Sequence, residues 1–234
     1  KTENLLNVLI DQMKNDDPLS KRVIVTSGKG MQNWLKFEVS KLLGVSANLH
    51  FFTIEKIIWQ LAKASLSNSN YSQSNPFSKE RIAWKVRHVL SEIIADYPSE
   101  FELVQSYIEI DDQLKKIQFC WEVATVFDGY LHYRPDLIEK WDNGQIDYQN
   151  IDAAWQALLW RRISSELPCP PISTLCNENL FASQGPKSIY FFGFSPTPKV
   201  YVQALAKFSE KNNLHLFCIQ PTDGYWNNVL SKRQ

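Results

Sequence analysis

The sequence predicts an α/β fold: a parallel sheet whose strands are separated along the chain by an inserted all-helical subdomain. Three observations predict it. The run V-I-V (23–25) is β-branched, as strands are, and I-Y-F-F (189–192) and L-F-C-I (216–219) are apolar without alternation, as strands buried on both faces are. The last two flank one amphipathic helix across short joints, a β-α-β unit that requires parallel pairing and a right-handed crossover. Between the first strands and that unit, helical periodicity runs on with no strand signal. The domain plan is therefore 1–75 as the first part of a sheet domain, 76–150 as the inserted helical subdomain, and 151–234 as the second part of the sheet domain.

Each element has its own local signal. From Thr2, the residues Leu5, Leu6, Val8, Leu9 and Met13 form a helical face that ends at the turn-forming N-D-D-P of 15–18. After V-I-V, a helix over 31–43 carries the stripe Met31, Trp34, Leu35, Val39, Leu42 and Leu43, closed by Gly44 as a C-terminal cap. L-H-F-F (49–52) is short and extended, and Thr53 caps a helix with Ile54, Ile57, Ile58, Leu61 and Ala62 on its face. The polar tract S-L-S-N-S-N-Y-S-Q-S-N-P (65–76) is a boundary loop. Beyond it come helices over 78–95, with Ile82, Val86, Val89, Leu90 and Ile93 inward, and over 99–108, 111–133 and 152–166. A strand over 188–194, a helix started by Pro198 and a strand over 214–219 complete the chain.

At 44% hydrophobic residues, 234 residues supply one large or two small cores. Lys plus Arg and Asp plus Glu each total 25, so no global basic field draws the chain to DNA or membrane, and any nucleic-acid contact is local. The four cysteines, Cys120, Cys169, Cys176 and Cys218, form no C-x-x-C pair and have no histidine at zinc spacing. They read as reduced, mostly buried thiols of a cytoplasmic protein. No apolar run reaches membrane-spanning length, and the start K-T-E-N-L-L is no signal peptide. A chain that opens without methionine, already in a helical pattern, reads as a fragment.

The stretch V-I-V-T-S-G-K-G-M-Q-N-W-L (23–35) has the layout of a phosphate-binding loop: strand, glycine turn with lysine, helix. The spacing G-x-x-x-x-G-K-[ST] fails, however, because Val23 stands at the first glycine and Gly30 at the hydroxyl that would hold magnesium. ATPases of this architecture also end an apolar strand in Asp-Glu. Here Ile189–Phe192 runs into Gly193-Phe194-Ser195-Pro196, and the next strand ends Cys218-Ile219-Gln220-Pro221. Both carboxylate positions are empty. The residues describe a nucleotide-hydrolase scaffold without its chemistry.

The runs T-S-G-K-G-M-Q-N-W-L (26–35), G-V-S-A-N-L-H-F (44–51), F-D-G-Y-L-H-Y-R-P-D (127–136), A-W-Q-A-L-L-W (154–160) and G-F-S-P-T-P-K-V-Y-V-Q-A-L (193–205) together resemble the N-terminal region of the RecC family. These are the gamma subunits of exodeoxyribonuclease V, the bacterial RecBCD complex. The resemblance covers nearly the whole chain. Family members are much longer, which implies an N-terminal portion lacking the strand expected before residue 1. The resemblance further implies a superfamily 1 helicase fold that has lost its ATPase motifs, with 1–75 and 151–234 as two pieces of domain 1A and 76–150 as a 1B-like insert. It implies a non-catalytic subunit that bridges RecB-like and RecD-like motors, meets the duplex end, and guides the 3′-ended strand through a tunnel where it is scanned for Chi during recombinational repair. ATP and Mg would sit on the partner subunits, with no cofactor and no metal in this chain.

Carried over position by position, the resemblance places DNA contacts at Thr26, Lys29, Asn33, Thr53, Trp59, Thr125, Val126, Asp128, Gly129 and Arg134. Trp59, Asp128 and Arg134 match the family's residue types. Thr26, Lys29, Asn33, Thr53 and Gly129 depart from them, which leaves base preference open, since readout depends on the donor and acceptor set. Each residue also has a plain structural reading. Trp59 is either a core tryptophan or a stacking one; Asp128 and Arg134 are either DNA contacts or a salt bridge; Lys29 is either a phosphate contact or a solvated lysine. Trp160-Arg161-Arg162 reads as an amphipathic face with a solvated rim, and the four histidines are too scattered for catalysis or metal binding. Two competing functions remain. One is an ATP-active helicase or nuclease, against which the carboxylate-free turn at 192–196 stands; the other is a protein-interaction domain without DNA contact.

Overall fold

The structure, a computed structural model, describes residues 2–14, 21–65, 74–108, 112–177, 186–193 and 197–218. The expected turn at 15–18, most of the polar tract, the 194–196 segment and the chain beyond 218 lie outside the described residues. The chain forms two compact units. One comprises 1–57, 186–196 and 212–234, and the other 58–185 and 197–211.

The first unit holds a four-stranded, wholly parallel sheet in the order β2-β1-β3-β4, built from β1 (Arg22–Val25), β2 (Leu49–Phe52), β3 (Ser188–Phe192) and β4 (Asn213–Phe217). Ile24, Tyr190, Phe192 and Phe217 share one face by the two-residue period of strands. They form a core with Leu6, Leu9, Ile10 and Met13 of α1 (Thr2–Lys14) and with Leu35 and Val39 of α2 (Lys29–Leu43). Buried Arg22 ties strand to helix by donating from Nη2 to the Met13 carbonyl at 3.1 Å. In α1 the buried face includes Ile10, while Val8 is exposed, a rotation of the expected stripe by about one position. Helix α2 begins two residues earlier than periodicity placed it and ends at Gly44, whose φ of 75° is the left-handed cap expected there. Leu42, assigned to its inward stripe, is exposed.

The central strands β1 and β3 are buried, β3 as its unbroken apolar run predicts. Strand β4 is not: Leu216 is 53% exposed and Cys218 is exposed too. The reason is position, since β4 is a sheet edge among the described residues, and an edge strand shares only one side with a neighbour.

The second unit is helical. Its centre is α4 (Lys79–Asp96) against α6 (Gln113–Tyr133), with α8 (Ile151–Ser165) packed on α4. Ile82, Val86, Val89, Leu90 and Ile93 are all buried, as the α4 periodicity predicts. Side-chain caps set two starts: Asp112 accepts from Lys115 N–H at 2.9 Å and Asn150 from Ala153 N–H at 3.2 Å. Trp160 is fully buried, edge-on to Phe127 with ring centroids 5.4 Å apart. Arg161 and Arg162 beside it are exposed, and Arg162 meets Glu92 at 2.8 Å.

This unit extends beyond the 76–150 segment read from the sequence. Helix α8 joins it because Ala154, Ala157, Leu158, Leu159, Trp160 and Ile163 are buried there. So do α9 (Ile172–Asn177) and α10 (Lys199–Ser209), the helix linking β3 to β4, which packs on α9 and α6. Helix α5 (Glu102–Tyr107) and α7 (Pro135–Asp142) complete it, with Pro135 at the first turn of α7, where no amide partner is lost.

Candidate nucleic-acid interface

Two groups of expected contact residues come together, one in each unit. In the sheet unit, the parallel register Val25↔Phe52 brings the carboxyl ends of β1 and β2 level, so the next residues, Thr26 and Thr53, are neighbours. Thr26 N–H donates to the Phe52 carbonyl at 3.0 Å. The Thr53 carbonyl accepts from Ile57 N–H at 3.1 Å, opening α3 (Ile54–Ser65) as its cap position requires. The carboxyl edge of a parallel sheet is where α/β proteins place ligands. Thr26 itself is 4% exposed, and its hydroxyl donates to the Gly28 carbonyl at 3.4 Å, so it shapes the turn from within. Lys29 and Asn33, one turn apart at the start of α2, are exposed. Around Gly28 and Gly30 a side chain would meet nothing within 4 Å. An open glycine turn, an exposed lysine and a helix start without an acidic residue form a surface suited to one phosphate.

In the helical unit, α6 carries Thr125, Val126, Asp128 and Gly129. Thr125 and Val126 are exposed, and Gly129 faces open space. The Thr125 hydroxyl donates to the Trp121 carbonyl at 2.7 Å. Asp128 is engaged on its inner side. His132 Nδ1 lies 2.6 Å from the Asp128 carbonyl, which can only accept, so Nδ1 carries a proton, and Nε2 lies 2.5 Å from the Tyr201 hydroxyl. The Asp128 carboxylate stands 3.5 Å from the same Nδ1 and keeps 41% of its side chain exposed.

Arg134, at the end of α6, does not pair with Asp128. Its Nε and Nη2 donate to the two oxygens of Asp136 at 3.2 and 3.3 Å, a fork two residues away. The hydrogen bond from Arg134 holds the Asp136 carboxyl below its ordinary range, and Asp136 in turn raises Arg134. Both side chains are more than half exposed, so a phosphate can compete with the carboxylate for the guanidinium.

Trp59 stands apart from both groups. It is 2% exposed and acts as packing within α3, with no ring face toward solvent. Sequence reasoning passed over Trp121 and Tyr133, which are exposed and lie four residues before Thr125 and four after Gly129, on the same line of α6. That spacing was the available signal. It also passed over the His132–Tyr201 pair, whose partners are 69 residues apart. Among the described residues, no cluster of His, Cys, Asp or Glu is suited to a metal. The thiols of Cys120 and Cys169 are both buried, and burial pushes Cys169 to about 11.

A family model of the RecC N-terminal domain matches residues 1–234. The chain is similar to the RecBCD enzyme subunit RecC of Escherichia coli (strain K12), 28% identical over 97% of this chain and 21% of that protein. It is likewise similar to the RecBCD enzyme subunits RecC of Haemophilus influenzae, at 26% over 100% of this chain and 24% of that protein, and of Mycolicibacterium smegmatis, at 26% over 93% and 20%. The chain thus spans about a fifth to a quarter of the length of these curated relatives.

Proposed function

The chain belongs to the RecC N-terminal domain family, and from that premise we propose that it is a non-catalytic, helicase-like part of a RecBCD-type enzyme, one that contacts the 3′-ended single strand. The observation that carries this reading is the family match over the full 234 residues. The geometry is compatible with it. Thr125, Val126 and Gly129 lie open on α6, beside Arg134 at the helix end, while Lys29 and Asn33 lie open at the start of α2. In this proposal the scaffold is that of a superfamily 1 helicase without ATPase motifs, and the strand-turn-helix at 23–35 corresponds to the segment after the nucleotide loop, its turn at 26–30 facing DNA and not ATP. ATP and Mg are then held by RecB-like and RecD-like partners, which this subunit bridges.

Within the same proposal, Thr125, Asp128 and Arg134 read bases or hold phosphates as the strand is scanned for Chi, and the protein works in the cytoplasm, where bacterial DNA lies. No helix among the described residues is long and apolar enough to cross a membrane. The test uses the full-length protein assembled with RecB-like and RecD-like subunits of the same organism. Unwinding and degradation of blunt duplex DNA are followed with the subunit present, absent, or carrying Asp128→Ala and Arg134→Ala. The expected result is loss of processivity without the subunit, and normal unwinding with loss of the hotspot response in the double variant. Equal unwinding without the subunit, or ATP hydrolysis by the subunit alone at motor rates, overturns the proposal.

A further inference from the structure

His132 sits on α6 one turn beyond Asp128 and touches two helices at once. Its Nδ1 lies 2.6 Å from the Asp128 carbonyl and 3.5 Å from the Asp128 carboxylate. Its Nε2 lies 2.5 Å from the hydroxyl of Tyr201 on α10, and the two rings meet edge-on with centroids 5.1 Å apart. Tyr201 is buried, whereas the Asp128 side chain is 41% exposed. The imidazole therefore joins a buried hydroxyl to a carboxylate at the surface. Among the described residues, the ionisable groups against the ring are Asp128 and Tyr133 of α6 and Tyr201 of α10. Asn75, Phe77, Ile172 and Ser173, which share a cavity of about 20 Å³ with His132 and Tyr201, carry no charge.

Resting on the reading of Asp128 as a DNA contact, we propose that Tyr201 and His132 are positioning residues for it, His132 setting by its protonation whether Asp128 meets the strand as a bare anion or as half of an ion pair. With one ring proton, on Nδ1, that proton is committed to the Asp128 carbonyl, and Nε2 accepts from the Tyr201 hydroxyl. The ring is neutral, and the carboxylate stands uncompensated beside a polyanionic strand. A second proton, taken from water, adds at Nε2 and is donated to the Tyr201 oxygen. The ring is then a cation 3.5 Å from the carboxylate, and the negative charge that the strand meets falls by one.

The tyrosine matters because a hydroxyl both donates and accepts. It satisfies Nε2 in either state, so the ring changes charge without leaving a buried nitrogen unpaired, which phenylalanine cannot offer. A link that served only to hold α6 to α10 would need no carboxylate beside Nδ1. The two roles differ in their response to pH.

The test measures binding of a fluorescein-labelled duplex with a 3′ single-stranded tail of mixed sequence to the full-length protein assembled with its RecB-like and RecD-like subunits. It runs without ATP between about pH 5 and 8, where histidines change charge. Affinity of the unmodified enzyme is expected to rise about three- to tenfold toward the acid end relative to His132→Gln, which cannot take the charge, and the difference shrinks at high salt. Tyr201→Phe shifts the midpoint of that rise to lower pH by about half a unit to one unit, because a charged N–H loses more than a neutral nitrogen when its partner goes. A purely structural link lowers the melting temperature of these variants and leaves the pH profile in place. Asp128→Asn separates this inference from the reading beneath it. If that variant binds as the unmodified enzyme does at every pH, Asp128 is no DNA contact and both fall together. If it binds more tightly at about pH 8 while the unmodified enzyme and His132→Gln keep parallel profiles, or while Tyr201→Phe leaves the midpoint in place, the DNA contact stands and this inference is overturned.

Discussion

Trp59 is 2% exposed, and that number decides what a substitution there reports. Trp59→Ala empties a core site and is expected to cost about 3–5 kcal/mol, visible as a lower denaturant midpoint. If Trp59 acts on DNA only through packing, Trp59→Phe restores most of the stability and the DNA affinity together. Loss of affinity with stability retained would instead assign the ring a direct contact. Cys169 offers a second residue-scale test, because burial raises its thiol from 9.0 to about 11. Between those values the native state keeps a proton that the unfolded chain releases, so the contribution is full below pH 9 and is lost as pH rises toward 11. Urea unfolding of the protein and of Cys169→Ser should show the stability difference shrinking by up to about 2–3 kcal/mol across that window. The alternatives left open by the sequence at this scale separate on burial and partners: Arg134 chose Asp136, two residues away, and not Asp128, which lies six residues back and beyond the i,i+4 reach of a helix.

Elements were most legible where their signals are local. Strand β2 occupies residues 49–52 as expected, and the five inward residues read for α4 are all buried, with Ala83 added beside them, because a period and a cap are written within a few neighbouring residues. The exposure of β4 was not legible, since the place of a strand in a sheet depends on pairing with distant residues. Helices α7 and α9, of 8 and 6 residues, are too short for a period to show. On the site side, the open line of α6 follows from its periodicity, and it supports a test at Gly129. A side chain there meets nothing within 4 Å, so Gly129→Ala should stabilise α6 by about 0.5–1 kcal/mol and raise the melting temperature by about 1–4 °C. The same methyl group projects from the face proposed to meet DNA. A stabilised variant with weakened affinity for single-stranded DNA places the strand at Gly129, whereas unchanged affinity places it elsewhere.

For the whole molecule, the sheet unit is made of three stretches of chain and the helical unit of two. A chain truncated after residue 185 keeps most of the helical residues but leaves β1 with β2 as its sole described partner. It is expected to aggregate through the bare strand edge, detectable by light scattering and by thioflavin binding. The intact sheet has its own timetable. Val23 finds its register partner at Ile189, so 166 residues separate the two central strands. At a ribosomal pace of about 5–20 residues per second, β1 waits roughly 8–30 s for β3 to be synthesised. During that interval an apolar ribbon of Val23, Ile24 and Val25 is already made and has no central partner. Sheltering that ribbon is thus a demand on the nascent chain or on a chaperone, and it ends when the last quarter of these residues arrives.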